Sequence, residues 1–286
     1  MTTIIKVLMY SGKQDPSWEL TKEQVDQLKN ILDQKKETTF MMSAQSAGIL
    51  GYRGFVIESY ESSIPAKAFC FDGIIDINDQ QQLNFIDADS SLENFLLKTA
   101  AGVLTEDEIK YIDSEILKNV KSGPASISKS LKATFDLLTV PPYNPGKWNI
   151  PSVQPYNNCY NYANDKITNT FAQPGRGSGS TIANSLCGTV SPAAQTDGQI
   201  SITNASGTPA DGQFIALVSA NTPTFKDYHW YRLDLNGLWS HKPGSTPARN
   251  TDNSGKLIND PRNCNRGPYA DFCGFFHCIP SKTTIR

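Results

Sequence analysis

The spacing of apolar residues in the first part of the chain alternates between the period of a strand and that of a helix. Residues 21–35 show the helical period, with apolar side chains behind Thr21, which opens a Thr-Lys-Glu-Gln capping-box sequence. Runs of β-branched and aromatic residues predict strands, and similar amphipathic runs predict further helices. The predicted strands are residues 4–10, 51–57 and 68–75, and the predicted helices are residues 21–35, 91–100 and 105–120. Together they predict a small α+β domain over residues 1–140.

The composition changes at residues 141–146, where the sequence Pro-Pro-Tyr-Asn-Pro-Gly excludes a helix and favours an extended linker. Beyond this point short apolar runs separated by turn residues replace the amphipathic helices, which predicts a second α+β domain over residues 141–286. The predicted strands of this domain are residues 214–218, 228–233 and 238–241. The glycine-rich residues 175–180 lack the Gly-Lys-Ser/Thr ending of a phosphate-binding loop, and we predict a flexible surface loop there.

Composition and charge exclude several classes of function. Of the 286 residues, 38% are hydrophobic and 19% charged, and the net charge is −2 with both signs scattered along the chain. No basic stretch indicates nucleic-acid binding, and no apolar run is long enough to span a membrane. The first residues do not resemble a signal peptide. We therefore expect a soluble protein, either cytoplasmic or exported by a non-classical route, and no feature of the sequence calls for a cofactor.

The candidate chemistry consists of one cysteine and two histidines. Asn157 or Asn158 can cap a helix that begins at Cys159 and continues to Ile167, and a helix start favours a reactive thiolate. His229 and His241 lie on two strands joined by an Asn-Gly turn, twelve positions apart. Because this separation is even and the turn is nearly central, both imidazoles should point to the same face of the hairpin. The pattern fits a thiol nucleophile with a base and an orienting group, although Cys159 could equally be a small buried residue.

These residues resemble those of a known enzyme family. The sequence Asn-Cys-x-x-Tyr at the start of a helix, followed by a strand histidine and a second histidine, is similar to the NlpC/P60 and CHAP branch of papain-like cysteine hydrolases and to related amidase domains. The resemblance implies a papain-like α+β fold with an antiparallel sheet, in which Cys159 is the nucleophile, His229 the general base and His241 the orienting group. It implies an amide substrate such as a peptide or a peptidoglycan stem peptide.

The chain departs from that family in two respects. The histidine strand usually begins with Gly-His, whereas this chain has Asp227-Tyr228-His229, and the segment between Cys159 and His229 is longer and more polar. Asp234 and Asp252 are alternative orienting groups, which a transglutaminase-like acyltransferase would prefer.

Aromatic and cationic residues surround the two histidines. If half of them share one face, they could line a cleft for a peptide or a glycan, although aromatic residues are also common in strands. The candidate substrate-binding residues are Tyr228, Trp230, Arg232 and Trp239, with Tyr231 and Lys242 beside them. A non-enzymatic glycan-binding, protein-binding or matrix module with a structural Cys159 is therefore the alternative to a hydrolase.

The remaining cysteines leave the compartment open. The chain has six cysteines, and Cys264, Cys273 and Cys278 lie close together near His277. Their spacing is not that of a common zinc site, so we expect no bound metal. These cysteines would instead form a disulfide or pack as unpaired thiols.

Overall fold

A computed structural model describes residues 2–38, 49–78, 82–122 and 140–286 of the chain. The chain forms two compact units. The first contains the described residues of Met1–Met9, Asp15–Ala47 and Tyr52–Ser126, and the second those of Tyr10–Gln14, Gly48–Gly51 and Ile127–Arg286. Helices and antiparallel sheets occur in both, so the predicted α+β class is confirmed. The predicted division at residue 141 stays a prediction, because residues 123–139 lie outside the described part.

Over its described residues, the first unit is an antiparallel sheet with three helices. Its helices are α1 (Lys22–Asp33), α2 (Ser91–Thr99) and α3 (Glu106–Ser122). Its strands are β1 (Thr3–Val7), β2 (Ser17–Glu19), β3 (Lys36–Thr38), β4 (Phe55–Ser59), β5 (Lys67–Phe71), β6 (Ile74–Asn78) and β7 (Gln82–Ile86). In the described residues they pair in the order β2-β1-β4-β5-β6-β7-β3, and every pair is antiparallel.

Local signals predicted the helices of this unit better than its strands. Thr21 caps α1 with the predicted capping box, because its hydroxyl accepts from the Gln24 amide and the Gln24 side chain returns to the Thr21 amide. The prediction of one strand over residues 68–75 is wrong. The chain reverses at Asp72 and Gly73, with φ values of 53° and 73°, and β5 and β6 form a hairpin. Positive φ at both central residues is what a two-residue Asp-Gly hairpin turn requires. Strands β2, β3 and β7 were not predicted.

The second unit has a central antiparallel sheet with short helices. Its helices are α4 (Pro145–Trp148), α5 (Cys159–Ala163) and α6 (Cys187–Thr196). Its strands are β8 (Ile200–Ile202), β9 (Gln213–Asn221), β10 (Lys226–Leu233), β11 (Trp239–His241) and β12 (Asp271–Cys278). They pair in the order β11-β10-β9-β12-β8. No helix in the described ranges is both long and apolar enough to cross a membrane.

The core of the second unit lies between the sheet and its helices. Helix α5 packs against β10 and β11, and α6 packs against β9 and β12. A disulfide between Cys187 and Cys273 joins the first residue of α6 to β12. The core cluster is formed by buried residues from these helices, from the sheet and from neighbouring loops: Cys159, Tyr160, Ala163, Ala172, Val190, Ala194, Ile215, Leu217, Tyr228, Trp230, Phe276, Cys278 and Ile285.

The start of α5 was predicted, whereas the expectation that residues 141–146 exclude a helix is wrong. Helix α4 begins at Pro145 within that stretch, with Asn144 as its cap. Proline is tolerated at the first helical position, because the amide there has no partner within the helix. Helix α5 begins at Cys159 with Asn158 as its cap, as predicted, but it ends at Ala163 and does not continue to Ile167. Residues 175–180 form a turn, in which the Gly175 amide donates to the Asp197 carboxylate at 2.7 Å. The strands predicted at 214–218, 228–233 and 238–241 correspond to β9, β10 and β11. Helix α6 and strands β8 and β12 were not predicted.

Candidate functional site

Cys159 occupies the first residue of α5 and is completely buried. The Asn158 side chain caps the helix by accepting hydrogen bonds from the amides of Tyr160 and Asn161 at 3.0 and 3.1 Å. The Cys159 thiol donates to the carbonyl oxygen of Ser11 at 3.4 Å. Burial raises the pKa of this thiol, and the nearby Asp227 carboxylate raises it further. The thiol is therefore neutral at neutral pH in this conformation.

His229 and His241 are hydrogen-bonded to each other, with His229 Nε2 and His241 Nδ1 2.9 Å apart. The Nε2 atom of His241 lies 3.0 Å from the carbonyl oxygen of Thr251, to which only a protonated nitrogen can donate. This pattern assigns the Nε2–H tautomer to a neutral His241 and makes its Nδ1 the acceptor for His229. The expectation that the two imidazoles share a face is confirmed, and both are buried among the rings of Tyr231 and Tyr269.

Cys159 lies on the opposite face of β10 from these histidines. Cys159 belongs to the core cluster that contains Tyr228 and Trp230, the two neighbours of His229 in the strand. Successive residues of a strand point to opposite faces, so His229 points away from that cluster. The structure therefore brings the two histidines together but does not bring either of them to Cys159. Tyr228 occupies the position that faces the thiol.

The residues predicted to bind substrate are buried. Tyr228, Trp230, Arg232 and Trp239 are 0, 0, 1 and 4% exposed, so they do not form an open cleft in this conformation. The Arg232 guanidinium bonds to the carboxylate of Asp234 at 2.8 Å and stacks on a tyrosine ring of α5. Burial raises the pKa of Asp234.

Lys242 and Asp252 also have structural partners. The Lys242 ammonium is buried and donates to the backbone carbonyls of Gln154, Asn157 and Gly244. The Asp252 carboxylate accepts from three backbone amides, those of Ser254, Lys256 and Asn265. Both side chains therefore brace loops of the second unit.

A polar site that was not predicted from the sequence lies in the second unit, where side chains hold the backbone of residues 11–13. The carbonyl oxygen of Gly12 accepts three side-chain hydrogen bonds. Its donors are Asn158 Nδ2 at 3.0 Å, Gln173 Nε2 at 2.7 Å and the Tyr228 hydroxyl at 3.2 Å.

The amides of the same segment face a buried carboxylate. Asp227 accepts from the amides of Ser11 at 2.5 Å, Gly12 at 3.2 Å and Lys13 at 3.3 Å, and from the Tyr269 hydroxyl at 2.5 Å. Burial raises the pKa of Asp227, while its hydrogen bonds from Tyr269 and the Ser11 and Gly12 amides act in the opposite direction. We call the set Asn158, Gln173, Asp227 and Tyr228 the peptide pocket.

The C-terminal cysteines are divided between a disulfide and free thiols. Cys273 pairs with Cys187, a pairing that was not predicted, whereas Cys264 and Cys278 are free. Within the described ranges, no group of three His, Cys, Asp or Glu side chains is placed to hold a metal ion. The His277 Nε2 atom instead lies 2.5 Å from the carbonyl oxygen of Asp211.

The second unit is thus an α+β module with a disulfide, a buried thiol and a peptide pocket filled by its own chain. Comparison with known proteins relates the chain to insoluble matrix shell protein 1 of Ruditapes philippinarum. The two are 48% identical over 138 residues, which span 48% of this chain and 90% of that protein. The chain belongs to the same family as that protein. No protein-family profile matches the chain, and no solved structure matches it.

Proposed function

We propose that the chain is a non-enzymatic structural protein of an insoluble matrix. The observation that carries this proposal is its 48% identity, over nine tenths of the relative's length, to a protein described as an insoluble matrix shell protein. The Cys187–Cys273 disulfide supports it, because disulfides persist in oxidising surroundings outside the cytosol.

The surroundings of Cys159 also support a structural role. A cysteine nucleophile needs an accessible thiolate and a base within hydrogen-bonding reach. Cys159 is 0% exposed, its pKa is raised, and it faces Tyr228 while His229 lies on the other face of β10. The buried aromatic residues likewise provide packing area to the core.

Fractionation of the source tissue or culture tests the matrix assignment. We expect the chain outside the cells, in material that resists salt and mild detergent and dissolves in denaturant with reductant. A cytosolic protein of known solubility is the control for lysis. Recovery of the chain in the cytosolic fraction, with the thiols of Cys187 and Cys273 reduced, would contradict the proposal.

The cysteine hydrolase implied by the NlpC/P60 and CHAP resemblance is a second candidate. The observation that favours it is that three side-chain donors hold the Gly12 carbonyl oxygen, in a segment whose preceding carbonyl, that of Ser11, accepts from the Cys159 thiol. Enzymes that transfer acyl groups polarise the attacked carbonyl with donors of this kind. The substrate would then be a peptide or a peptidoglycan stem peptide. A transglutaminase-like acyltransferase is the variant that would require Asp234 or Asp252 as the orienting group.

Thiol labelling separates the two candidates. Iodoacetamide labelling of the native chain against pH, read by mass spectrometry, should modify Cys264 first, because it is the one half-buried member of the described free cysteines. Burial raises the pKa of Cys264 to about 11, so its labelling rate should keep increasing up to that pH. Cys159 should stay unlabelled until denaturation.

Selective labelling of Cys159 in the native chain would reverse this conclusion if its apparent pKa were below the ordinary thiol value of about 8.5. The hydrolase would then be supported by peptide cleavage that Cys159→Ala abolishes and Cys264→Ala preserves.

A further inference from the structure

We propose that the peptide pocket is a binding site for a glycine-centred peptide backbone. Residues 11–13 of the chain occupy it in the structure, and an equivalent segment from another chain would bind when they are released. The proposal goes beyond the matrix role, because it gives the module a class of ligand. The source of that ligand is a second copy of this chain or another glycine-containing protein, and the two share the same chemistry.

The peptide pocket has the features of a preformed recognition site. Asp227 is a fully buried charged side chain whose carboxylate faces the three consecutive amides of residues 11–13. Three neutral donors from Asn158, Gln173 and Tyr228 converge on the Gly12 carbonyl oxygen. Acceptor and donors thus match the two polar groups of a peptide backbone, and their hydrogen bonds do not depend on the side chains of the ligand.

The pocket selects glycine at its centre by its shape. A Cβ atom added to Gly12 would lie 2.5 Å from the Cζ carbon of the Tyr228 ring, closer than carbon atoms pack. By contrast, the buried Ser11 hydroxyl has no hydrogen-bond partner among the described residues. The serine is therefore not recognised through its side chain, and the ligand class is a peptide with glycine between two other residues.

Cys159 provides a reporter for occupancy of the pocket, because its thiol donates to Ser11 of the bound segment. In the Gly12→Ala chain the added methyl group conflicts with Tyr228, so the segment should leave the pocket. We expect iodoacetamide to label Cys159 at least tenfold faster than in the original chain. Gly188→Ala is the matched control, since a Cβ there meets no atom within 4 Å. An intact Cys187–Cys273 disulfide and an unchanged circular dichroism spectrum show that the variant is folded.

Binding of a peptide to the pocket is then measured as protection of Cys159 from labelling. The pentapeptide Tyr-Ser-Gly-Lys-Gln, which has the sequence of residues 10–14, should slow labelling of Cys159 in the Gly12→Ala chain, and Tyr-Ser-Ala-Lys-Gln should not. An excess of the Cys159→Ser chain, which carries the original segment, distinguishes the sources. Protection by that chain assigns the ligand to a second copy, and protection by the peptide alone shows that the pocket binds a free glycine-centred segment but not the segment of a folded second copy.

Two results would overturn the proposal. Labelling of Cys159 in a folded Gly12→Ala chain at the original rate would show that residues 11–13 do not cover the pocket. Labelling that neither the glycine peptide nor the second chain slows would show that the pocket has no ligand in trans. If Gly12→Ala does not fold, Gln173→Ala replaces it, and removal of one donor should speed labelling of Cys159 by about fivefold. An unchanged rate there also overturns the proposal.

Discussion

The disulfide between Cys187 and Cys273 should be a major source of stability for the second unit. It joins residues that are 86 positions apart, and both ends belong to elements that pack on the same core. Replacing both cysteines by alanine removes the cross-link without leaving an unpaired thiol. The unfolded chain then gains the conformational freedom that the closed loop had removed.

The size of this effect follows from the length of the loop. For a loop of this length, the chain-entropy relation gives about 4.6 kcal/mol at 25 °C, which is an upper figure because engineered and native bridges often contribute less. Domains of ordinary size have a free energy of unfolding of about 5–15 kcal/mol, so this loss would be a large fraction of the total stability. For a unit of this size the midpoint of thermal unfolding should fall by about 9–18 °C.

Guanidinium unfolding of the full chain, followed by tryptophan fluorescence, measures this loss. Trp148, Trp230 and Trp239 belong to the second unit, so they dominate the signal over Trp18 of the first. Cys264→Ala is the matched control and should change the free energy of unfolding by less than about 1 kcal/mol, because Cys264 is only half-buried and forms no disulfide.

A loss below about 1 kcal/mol in the double variant would refute the reasoning, since the bridge would then constrain the unfolded chain far less than its loop length implies. An equal loss in the Cys264→Ala control would refute it as well. Reduction of the original chain should reproduce the loss seen in the double variant.

Two further substitutions test the polar contacts of the second unit by the same unfolding assay. Asn158→Ala removes a helix cap and two side-chain donors and should lower the free energy of unfolding by about 2–4 kcal/mol. The exposed Asn259→Ala is its control and should lower it by less than about 0.5 kcal/mol. Equal losses in the two variants would show that the cap does not stabilise the unit. Lys242→Met leaves three backbone carbonyls without their charged donor and should cost at least about 3 kcal/mol, and the exposed Lys256→Met is its control. A loss under about 1 kcal/mol would contradict the bracing role of Lys242.

Features that depend on near neighbours in the chain could be predicted from the sequence. The capping box at Thr21 and the cap at Asn158 use backbone amides three residues away at most, so the starts of α1 and α5 could be predicted. The pairing of His229 with His241 follows from the alternation of a strand and from a central Asn-Gly turn. Each of these needs only a few consecutive residues.

The face of β10 that packs against α5 could not be predicted from local patterns and is set by the packing of the second unit. The even spacing of the two histidines shows that they share a face, but it does not show which face packs against Cys159. The structure gives that face to Tyr228 and Trp230. The site predicted from the sequence therefore separates into a thiol on one side of the sheet and an imidazole pair on the other.

Hydrogen-bond and disulfide partners that are distant in the chain could not be predicted from the sequence either. Asp227 binds an amide 216 positions away, and Cys187 pairs with a cysteine 86 positions away. A carboxylate or a thiol carries no local signal for its partner, because the contact exists only after distant segments have packed into one core. The peptide pocket and the disulfide therefore depend on the packing of distant segments.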